Sequence, residues 1–141
     1  MTANAYKKPL PTPSPETKRF WDGCKKHELW IPFCRSCETY YWHPRDFCPN
    51  CFSWDTDWRK ASGRGTIYTF AIQYRAWHPG WADDVPYVTA LVDLEEGPRI
   101  YTTIVDIEAD PKHVRCGMPV EVLFEDISDD IALPKFRSAA A

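Results

Sequence analysis

The chain has 141 residues, with 17 lysines and arginines, 20 aspartates and glutamates, 13 prolines, 6 cysteines, and 7 each of Trp, Tyr and Phe. This length allows one domain or two very small ones, and a chain of this size buries roughly two thirds of its unfolded surface without disulfides. A transmembrane helix needs about 20 consecutive apolar residues, which no window provides. The N-terminus lacks the apolar core of a secretory signal, so we expect a cytoplasmic protein without a membrane span.

Charge is divided unevenly along the chain. Residues 1–65 hold 11 basic and 7 acidic side chains and residues 66–141 hold 6 and 13, so the two halves carry +4 and −7. Such a division often separates a segment that meets an anionic partner from one that does not, although linear halves need not form separate faces.

An extended arm is predicted at the N-terminus, over residues 1–13. Four of the 13 prolines lie between Pro9 and Pro15. Because proline fixes φ and has no backbone donor, this stretch is predicted to be polyproline II. It is either disordered in solvent or laid along a surface.

A short amphipathic helix should follow the arm. The tripeptide Ser14-Pro15-Glu16 is typical of an N-cap, a first helical position and an acidic first turn. The helix is predicted to end near His27. Phe20, Trp21 and Cys24 then form one apolar face.

Four cysteines form the most specific motif of the chain. They stand as two C-x-x-C pairs in one short stretch: Cys34, Cys37, Cys48 and Cys51. Two residues between ligands let a tight turn direct both thiolates at one ion, and two such turns complete a tetrahedral zinc site with Zn–S bonds of about 2.3 Å. Because all four ligands are sulfur, the predicted zinc is structural. The alternating aromatic residues 40–42 between the pairs predict a zinc ribbon, and the βαβ pattern of a redox C-x-x-C protein is absent.

Five further residues bear on the metal assignment and need separate interpretation. Glu38 and Phe52 follow the second cysteine of each pair, where glycine with positive φ is usual, and a side chain there costs on the order of 1 kcal/mol. His43 is the one nearby alternative ligand. Cys24 and Cys116 are interpreted as packed or inert thiols, because neither has the cationic setting and base that thiolate catalysis requires.

The remainder of the chain predicts a small barrel. Alternating residues and turn signals define five strands, at 66–75, 87–94, 99–106, 120–125 and 131–136. Five closely spaced strands are typical of an OB-fold. The predicted fold class is therefore mainly β, with an N-terminal helix and a four-cysteine zinc ribbon over residues 14–62 and a five-stranded OB-fold barrel over residues 63–141.

One connection, residues 76–86, is too long for a tight hairpin. It carries five side chains of functional interest: Trp77, His78, Trp81, Asp83 and Asp84. Such an aromatic loop either packs onto its own barrel or contacts another molecule. An acid/base pair of His78 with an aspartate is conceivable, but the loop contains no Ser or Cys nucleophile.

Taken together, the motifs resemble those of one family. They are the N-terminal helix, C-x-x-C…C-P-x-C, G-R-G-T, DDVPY, ALVDLEEGPR, CGMPVEVLFED and ALPKF. This combination resembles the zinc-ribbon/OB-fold family of acyl-CoA-associated proteins, a former domain-of-unknown-function family, over about residues 14 to 137. The chain departs from the family pattern at Glu38 and Phe52.

The resemblance implies an accessory subunit without catalytic residues of its own. Members dock on thiolase-fold enzymes and help close the acyl-CoA channel while the partner performs the chemistry. Those partners include thiolases, acyltransferases and aldolases that cleave steroid acyl-CoA side chains, and the aldolase setting is preferred here. A thiolase-fold dimer would make a two-plus-two hetero-oligomer natural. Partner or acyl-CoA contacts are then expected on the proline-rich stretch from Pro9 to Pro15 and on Phe20, Trp21, Trp77, His78, Trp81, Asp83 and Asp84.

Two other function classes stay open. Zinc ribbons and OB-folds also occur in proteins that bind single-stranded nucleic acid, where exposed aromatic side chains stack on bases. A pI near 5.8 and an acidic barrel half disfavour that class. A standalone enzyme is disfavoured because no ordered set of nucleophile, base and oxyanion donors is visible.

Overall fold

The structure is a computed structural model that describes residues 6–139. One helix, eight strands and one 3₁₀ turn, Pro79–Trp81, make up its regular elements within those residues. In chain order, the helix and strands are α1 Lys18–Lys25, β1 Trp30–Cys34, β2 Thr39–Tyr40, β3 Thr56–Lys60, β4 Arg64–Gln73, β5 Tyr87–Leu94, β6 Arg99–Val105, β7 Pro119–Asp126 and β8 Ala132–Ser138. Within the same residues, no helix is long and apolar enough to cross a bilayer.

The first three strands form the sheet of the ribbon. Its order is β2-β1-β3, with both pairs antiparallel. Phe33 of β1 lies opposite Tyr40 on one side and Asp57 on the other. Strand β3 was not predicted, because its sequence TDWRK is mostly polar and contains one large apolar side chain, Trp58.

The last five strands close into the predicted barrel, in the order β4-β5-β6-β8-β7. Strands β6 and β8 pair in parallel and the other four pairs are antiparallel. A bulge between Ile67 and Thr69 shifts the register of β4 against β5, which lets the strand bend around the barrel. Gly65 permits the close approach of these strands, since a Cβ there would lie 2.4 Å from the carbonyl oxygen of Asp93.

One apolar core joins the helix, the base of the ribbon and the barrel. Phe136 of β8 is fully buried at its centre, and Cys24 of α1 and Ile31 of β1 are buried in the same cluster. The C-terminal end of α1 is tied to β7: His27 stacks on Phe124 at 5.4 Å, and its Nε2 lies 2.9 Å from Asp126 Oδ1. The helix and ribbon base therefore pack as part of the barrel's own core.

The helix begins three residues later than predicted, at Lys18. Ser14 and Thr17 form a turn first: the Thr17 backbone N–H donates to the Ser14 carbonyl at 3.0 Å, and the two hydroxyl oxygens are 3.1 Å apart. These local bonds compete with helical hydrogen bonds, as is usual for such residues. The helix ends at Lys25, close to the prediction, and His27 follows with φ 58°.

The predicted arm is described only from Tyr6 onward, and its first five residues lie outside the described part. Residues 6–13 contain no helix or strand, and the carbonyl oxygen of Lys7 lies against Gly80 of the long loop. The arm was expected either to be disordered in solvent or to lie along a surface, and residues 6–13 lie along a surface. The boundaries 1–13, 14–62 and 63–141 stay predictions.

Candidate metal centre and aromatic cavity

The four cysteines that were predicted to bind zinc converge at the tip of the ribbon. Their Sγ atoms all lie within 4.8 Å of one another, with Cys34 and Cys51 3.6 Å apart and Cys37 and Cys48 3.7 Å apart. A tetrahedron with metal–sulfur bonds of about 2.3 Å has edges of about 3.8 Å. The four thiols are free rather than disulfide-bonded. They are therefore placed to hold one metal ion in tetrahedral coordination.

Backbone geometry around the two turns aims the sulfur atoms inward. Glu38 and Phe52 adopt φ of 54° and 62°, the left-handed conformation that the spacing predicted for them. The Asn50 backbone N–H donates to Cys48 Sγ at 3.3 Å, and the Thr39 hydroxyl lies 2.9 Å from Cys37 Sγ. Such second contacts orient the sulfur ligands of a metal.

The thiols also suit a cation electrostatically. Hydrogen bonds from Thr39 and then Asn50 lower the pKa of Cys37 to about 6. The Ser53 backbone N–H lowers the pKa of Cys51, but desolvation and the neighbouring thiols raise it overall to about 12. The neighbouring sulfur atoms thus oppose ionisation of Cys51, and a bound dication would favour its thiolate form.

The other sulfur and imidazole groups lie apart from this site. Among the described residues, the metal-ligating group contains no histidine, and His43 instead lines a cavity. Cys24 is buried, which raises the pKa of its thiol to about 12, as expected for a packed cysteine. Cys116 is exposed and is not packed.

A second feature is an aromatic cavity of about 600 Å³, where the arm, α1, the ribbon, the long loop and the barrel meet. We call it the aromatic cavity. Its aromatic lining residues are Tyr6, Phe20, Trp21, Trp42, Trp81, Tyr87 and Tyr101. Three of the predicted contact residues, Phe20 and Trp21 of α1 and Trp81 of the loop, are thus brought together. Its size is typical of a ligand-binding pocket.

Edge and stacking contacts build the cavity walls. Phe20 packs edge-on against Trp21 at 4.9 Å and against Trp42 at 5.0 Å, while Trp81 stacks on Tyr87 at 4.7 Å. These geometries are favourable for aromatic pairs. On the β5 side, Thr89 accepts a hydrogen bond from the Gln73 amide at 3.1 Å. The cavity thus offers apolar walls with hydroxyl groups on the barrel side.

The other predicted loop residues do not line the aromatic cavity. Trp77 is 76% exposed and carries the Arg75 guanidinium 4.5 Å from its ring centroid. The His78 Nδ1 accepts a hydrogen bond from the Gly80 backbone N–H at 3.0 Å, so this histidine caps the 3₁₀ turn. Asp83 and Asp84 face the lysines of the arm. The conceivable His78–aspartate pair is not formed.

Four aromatic residues of the cavity lining were not predicted from the sequence as site residues: Tyr6, Trp42, Tyr87 and Tyr101. Tyr87 and Tyr101 were interpreted as strand residues only, and their alternation places them on the outer face of β5 and β6. That alternation was the available signal for their exposure. Nothing in the local sequence indicated that α1 and the ribbon would cover part of this face.

Comparison with protein families gives two matches in the order of the fold. Residues 21–56 match the model described as the ChsH2 rubredoxin-like zinc ribbon domain, and residues 58–125 match the ChsH2 C-terminal OB-fold domain. Strand β3 spans the junction of the two.

Among curated relatives, two are named as hydratase subunits. One, from Thermomonospora curvata, is named "Probable enoyl-CoA hydratase alpha subunit" and is 33% identical over 94% of this chain and 40% of its own length. The other, from Mycobacterium tuberculosis, is named 3-oxo-4,17-pregnadiene-20-carboxyl-CoA hydratase alpha subunit and is 37% identical over 84% of this chain and 37% of its own length. The chain thus spans about two fifths of the length of these relatives.

Relatives of similar length bear a different name. A DUF35 domain-containing scaffold protein of Methanocaldococcus jannaschii is 38% identical over 79% of both chains. A chain of the solved Ltp2-ChsH2(DUF35) aldolase superposes with a TM-score of 0.81 at 34% identity, covering 93% of this chain and all of its own length. A DUF35 protein of Sulfolobus solfataricus, at 12% identity and a TM-score of 0.60, shows the same fold. With its zinc ribbon and OB-fold barrel in the family order, the chain belongs to the DUF35 family and carries the two ChsH2 domains.

Proposed function

We propose that the chain is an accessory subunit that docks on a thiolase-fold enzyme and supplies part of the wall of its acyl-CoA channel. The partner performs the chemistry. The observation that carries the proposal is the superposition on a chain of the Ltp2-ChsH2(DUF35) aldolase, at a TM-score of 0.81 and 34% identity over the whole of that chain. The preferred reaction of the complex is retro-aldol cleavage of an acyl-CoA side chain, of a steroid or another acyl group. Condensation and acyl transfer are the other reactions of this class.

The aromatic cavity supports the acyl-CoA part of the proposal. Phe20, Trp21 and Trp81 line a space of about 600 Å³ beside the exposed side chain of Tyr101. Apolar walls favour an acyl group over water because burial of apolar surface is worth roughly 25 cal/mol per Å². Lys135, the charged lysine of the lining, is paired with Glu125, so its charge is offset and the lining favours a neutral group.

The exposed side of the long loop supports the docking part. Trp77 is exposed and lies beside Arg75, and Trp and Arg are the residue types enriched at the centres of protein interfaces. Trp81, four residues later, belongs to the cavity wall. The exposed Trp77 and the cavity-lining Trp81 thus belong to one short segment of the loop.

Zinc in the four-cysteine site is proposed to be structural. The sulfur geometry fits a tetrahedral ion, and four protein ligands leave no position for water. Cys34, Cys37, Cys48 and Cys51 would hold it, and the ion would supply charge neutralisation and folding energy to the ribbon tip.

Hydration of an enoyl-CoA is a second reaction that the partner could serve. Two relatives at 33% and 37% identity are named hydratase alpha subunits. In both, the matching region is less than half of a longer subunit. The accessory role and the acyl-CoA substrate class are the same in either case.

The test is purification of the tagged chain from its native host at low and moderate salt, with mass spectrometry of the bound proteins. A thiolase-fold protein in stoichiometric amount is expected, and the complex is then assayed for cleavage, condensation and hydration of acyl-CoA. Nucleic acid released by salt, with no such protein, would replace the proposal with single-strand binding.

A variant set tests the docking surface. Replacing Trp77 and Trp81 together with alanine should weaken the complex at least about tenfold, the effect of losing a well-packed aromatic anchor. Trp54→Ala is the matched control, because Trp54 is 72% exposed, close to the 76% of Trp77, but lies on the ribbon. Unchanged affinity and partner activity in the double variant would show that the loop is not the docking surface.

A further inference from the structure

One segment of the arm forms part of the wall of the aromatic cavity. Residues 6–9, which we call the strap, cross the long loop, and Tyr6 and Pro9 line the cavity. Lys8 of the strap lines a second, adjoining cavity of about 300 Å³. The strap therefore lies at the border of the two spaces.

Close packing positions the strap against the loop. A Cβ on Gly80 would lie 2.4 Å from the Lys7 carbonyl oxygen and 3.0 Å from the Lys8 backbone nitrogen. Gly80 is not one of the residues with positive φ, so its backbone conformation does not require glycine. Glycine is needed at this position because any side chain would collide with the backbone of the strap.

Lys8 supplies the main polar attachment. Its Nζ pairs with the Asp84 carboxylate and lies 4.2 Å from the centroid of the Trp81 ring, and only 14% of the side chain is exposed. The neighbouring pair of Lys7 and Asp83 is long, at 4.0 Å, and its two side chains are 72% and 90% exposed. The two adjacent lysines thus differ sharply in how firmly they attach the strap.

The attachment is made by side chains and packing. Between residues 6 and 139, no backbone–backbone hydrogen bond joins residues 6–9 to the rest of the chain. Pro9 has no backbone donor, and the prolines that follow keep the segment extended and stiff. The strap can therefore leave without breaking a strand ladder, and a stiff segment would move as one piece.

We propose that the strap is a releasable wall of the aromatic cavity, held closed by Lys8 in the free chain and displaced when an apolar ligand enters. The identity of that ligand as an acyl-CoA rests on the proposed function. The release itself concerns this chain alone. If the ligand enters only when the strap has left, the apparent affinity equals the intrinsic affinity multiplied by the fraction of molecules with an open strap.

The experiment measures entry of a neutral fluorescent probe, N-phenyl-1-naphthylamine, into the isolated zinc-loaded chain by stopped-flow. Lys8→Gln removes the main attachment, and the side chain of Lys8 is not part of the aromatic cavity lining. Its association rate should rise about tenfold over the unchanged chain, the effect of a tenfold larger open fraction. Gly80→Ala should act in the same direction, because its Cβ displaces the Lys7 carbonyl. Lys7→Gln is the matched control and should stay within about twofold, as expected for an exposed ion pair.

Three results would overturn the proposal. They are equal rates in Lys8→Gln, Gly80→Ala and the unchanged chain, an equal acceleration by Lys7→Gln, and absence of probe binding in all of these proteins. Competition by decanoyl-CoA separates the two proposals. If the variants speed probe entry but decanoyl-CoA does not displace the probe, the strap is a releasable wall and the acyl-CoA assignment fails.

Discussion

Loss of the metal should unfold the tip of the ribbon and leave the barrel folded. The reason is the division of the buried residues into two clusters. Among residues 6–139, the tip cluster contains only Cys34, Tyr41 and Cys48, with Cys37 packed against it, whereas the main cluster contains 17 residues from α1 to β8. Three of the four tip residues are metal ligands, so the tip has almost no apolar core of its own.

The size of the effect follows from the same comparison. Binding of structural zinc contributes about 10–16 kcal/mol in small zinc modules. This is as large as the whole stability of a typical domain, about 5–15 kcal/mol. Tyr41 adds little, since a single aromatic side chain contributes about 2–3 kcal/mol on burial. Cys48→Ser should therefore abolish protection of the tip, while Ile31 and the barrel residues keep their packing.

Hydrogen exchange with mass spectrometry measures separately the protection of the ribbon tip and that of the barrel. In Cys48→Ser, or after treatment with a chelator, amides of residues 35–38 and 43–55 should exchange as in an unfolded chain, while β4–β8 keep rates within about threefold. Cys116→Ser is the matched control, because it removes an exposed thiol outside the site. Loss of protection throughout the barrel, or full protection of the tip without metal, would refute the reasoning.

Three further predictions concern single residues. Phe52→Gly should raise the free energy of unfolding by about 0.5–1 kcal/mol relative to Phe52→Ala, because φ of 62° favours glycine; equal melting curves of the two variants would contradict this. In the zinc-loaded protein at pH 8, iodoacetamide should label Cys116 alone, because burial raises the pKa of Cys24 to about 12; rapid labelling of a second cysteine would show that Cys24 is accessible. Phe136→Ala should lower the free energy of unfolding by about 3–5 kcal/mol in urea titrations, because Phe136 is fully buried where β8 joins β6. A loss below about 1 kcal/mol would show that the barrel core tolerates the space left by the missing ring.

The barrel was predictable from the sequence because its strands alternate between a buried and an exposed face. The predicted strand 87–94 matches β5, and the predicted strand 99–106 differs from β6 by one residue at its end. Turn residues such as Gly97, with φ of 116°, mark the connections. The positive φ of Glu38 and Phe52 was also predictable, because the spacing of the cysteines requires tight turns.

The aromatic cavity was predictable only in part. Phe20 and Trp21 were identified from the apolar face of α1, and Trp81 from the unusual length of its loop. The position of Trp42 depends on how the ribbon packs on the barrel, which is a long-range contact without a local signal. Attachment of the strap likewise depends on Gly80, whose role is visible only once the arm is placed against it.

Strand β1 has a mechanical consequence. Its second residue, Ile31, is locked in the barrel core, and its last residue, Cys34, belongs to the metal-ligating group. With a rise of about 3.3 Å per residue, the two are about 10 Å apart along a strand that is paired on both sides. The metal-ligating end of β1 is therefore held at a set distance from the barrel core, and the position of the ribbon tip relative to the barrel is fixed by only three residue steps of one strand.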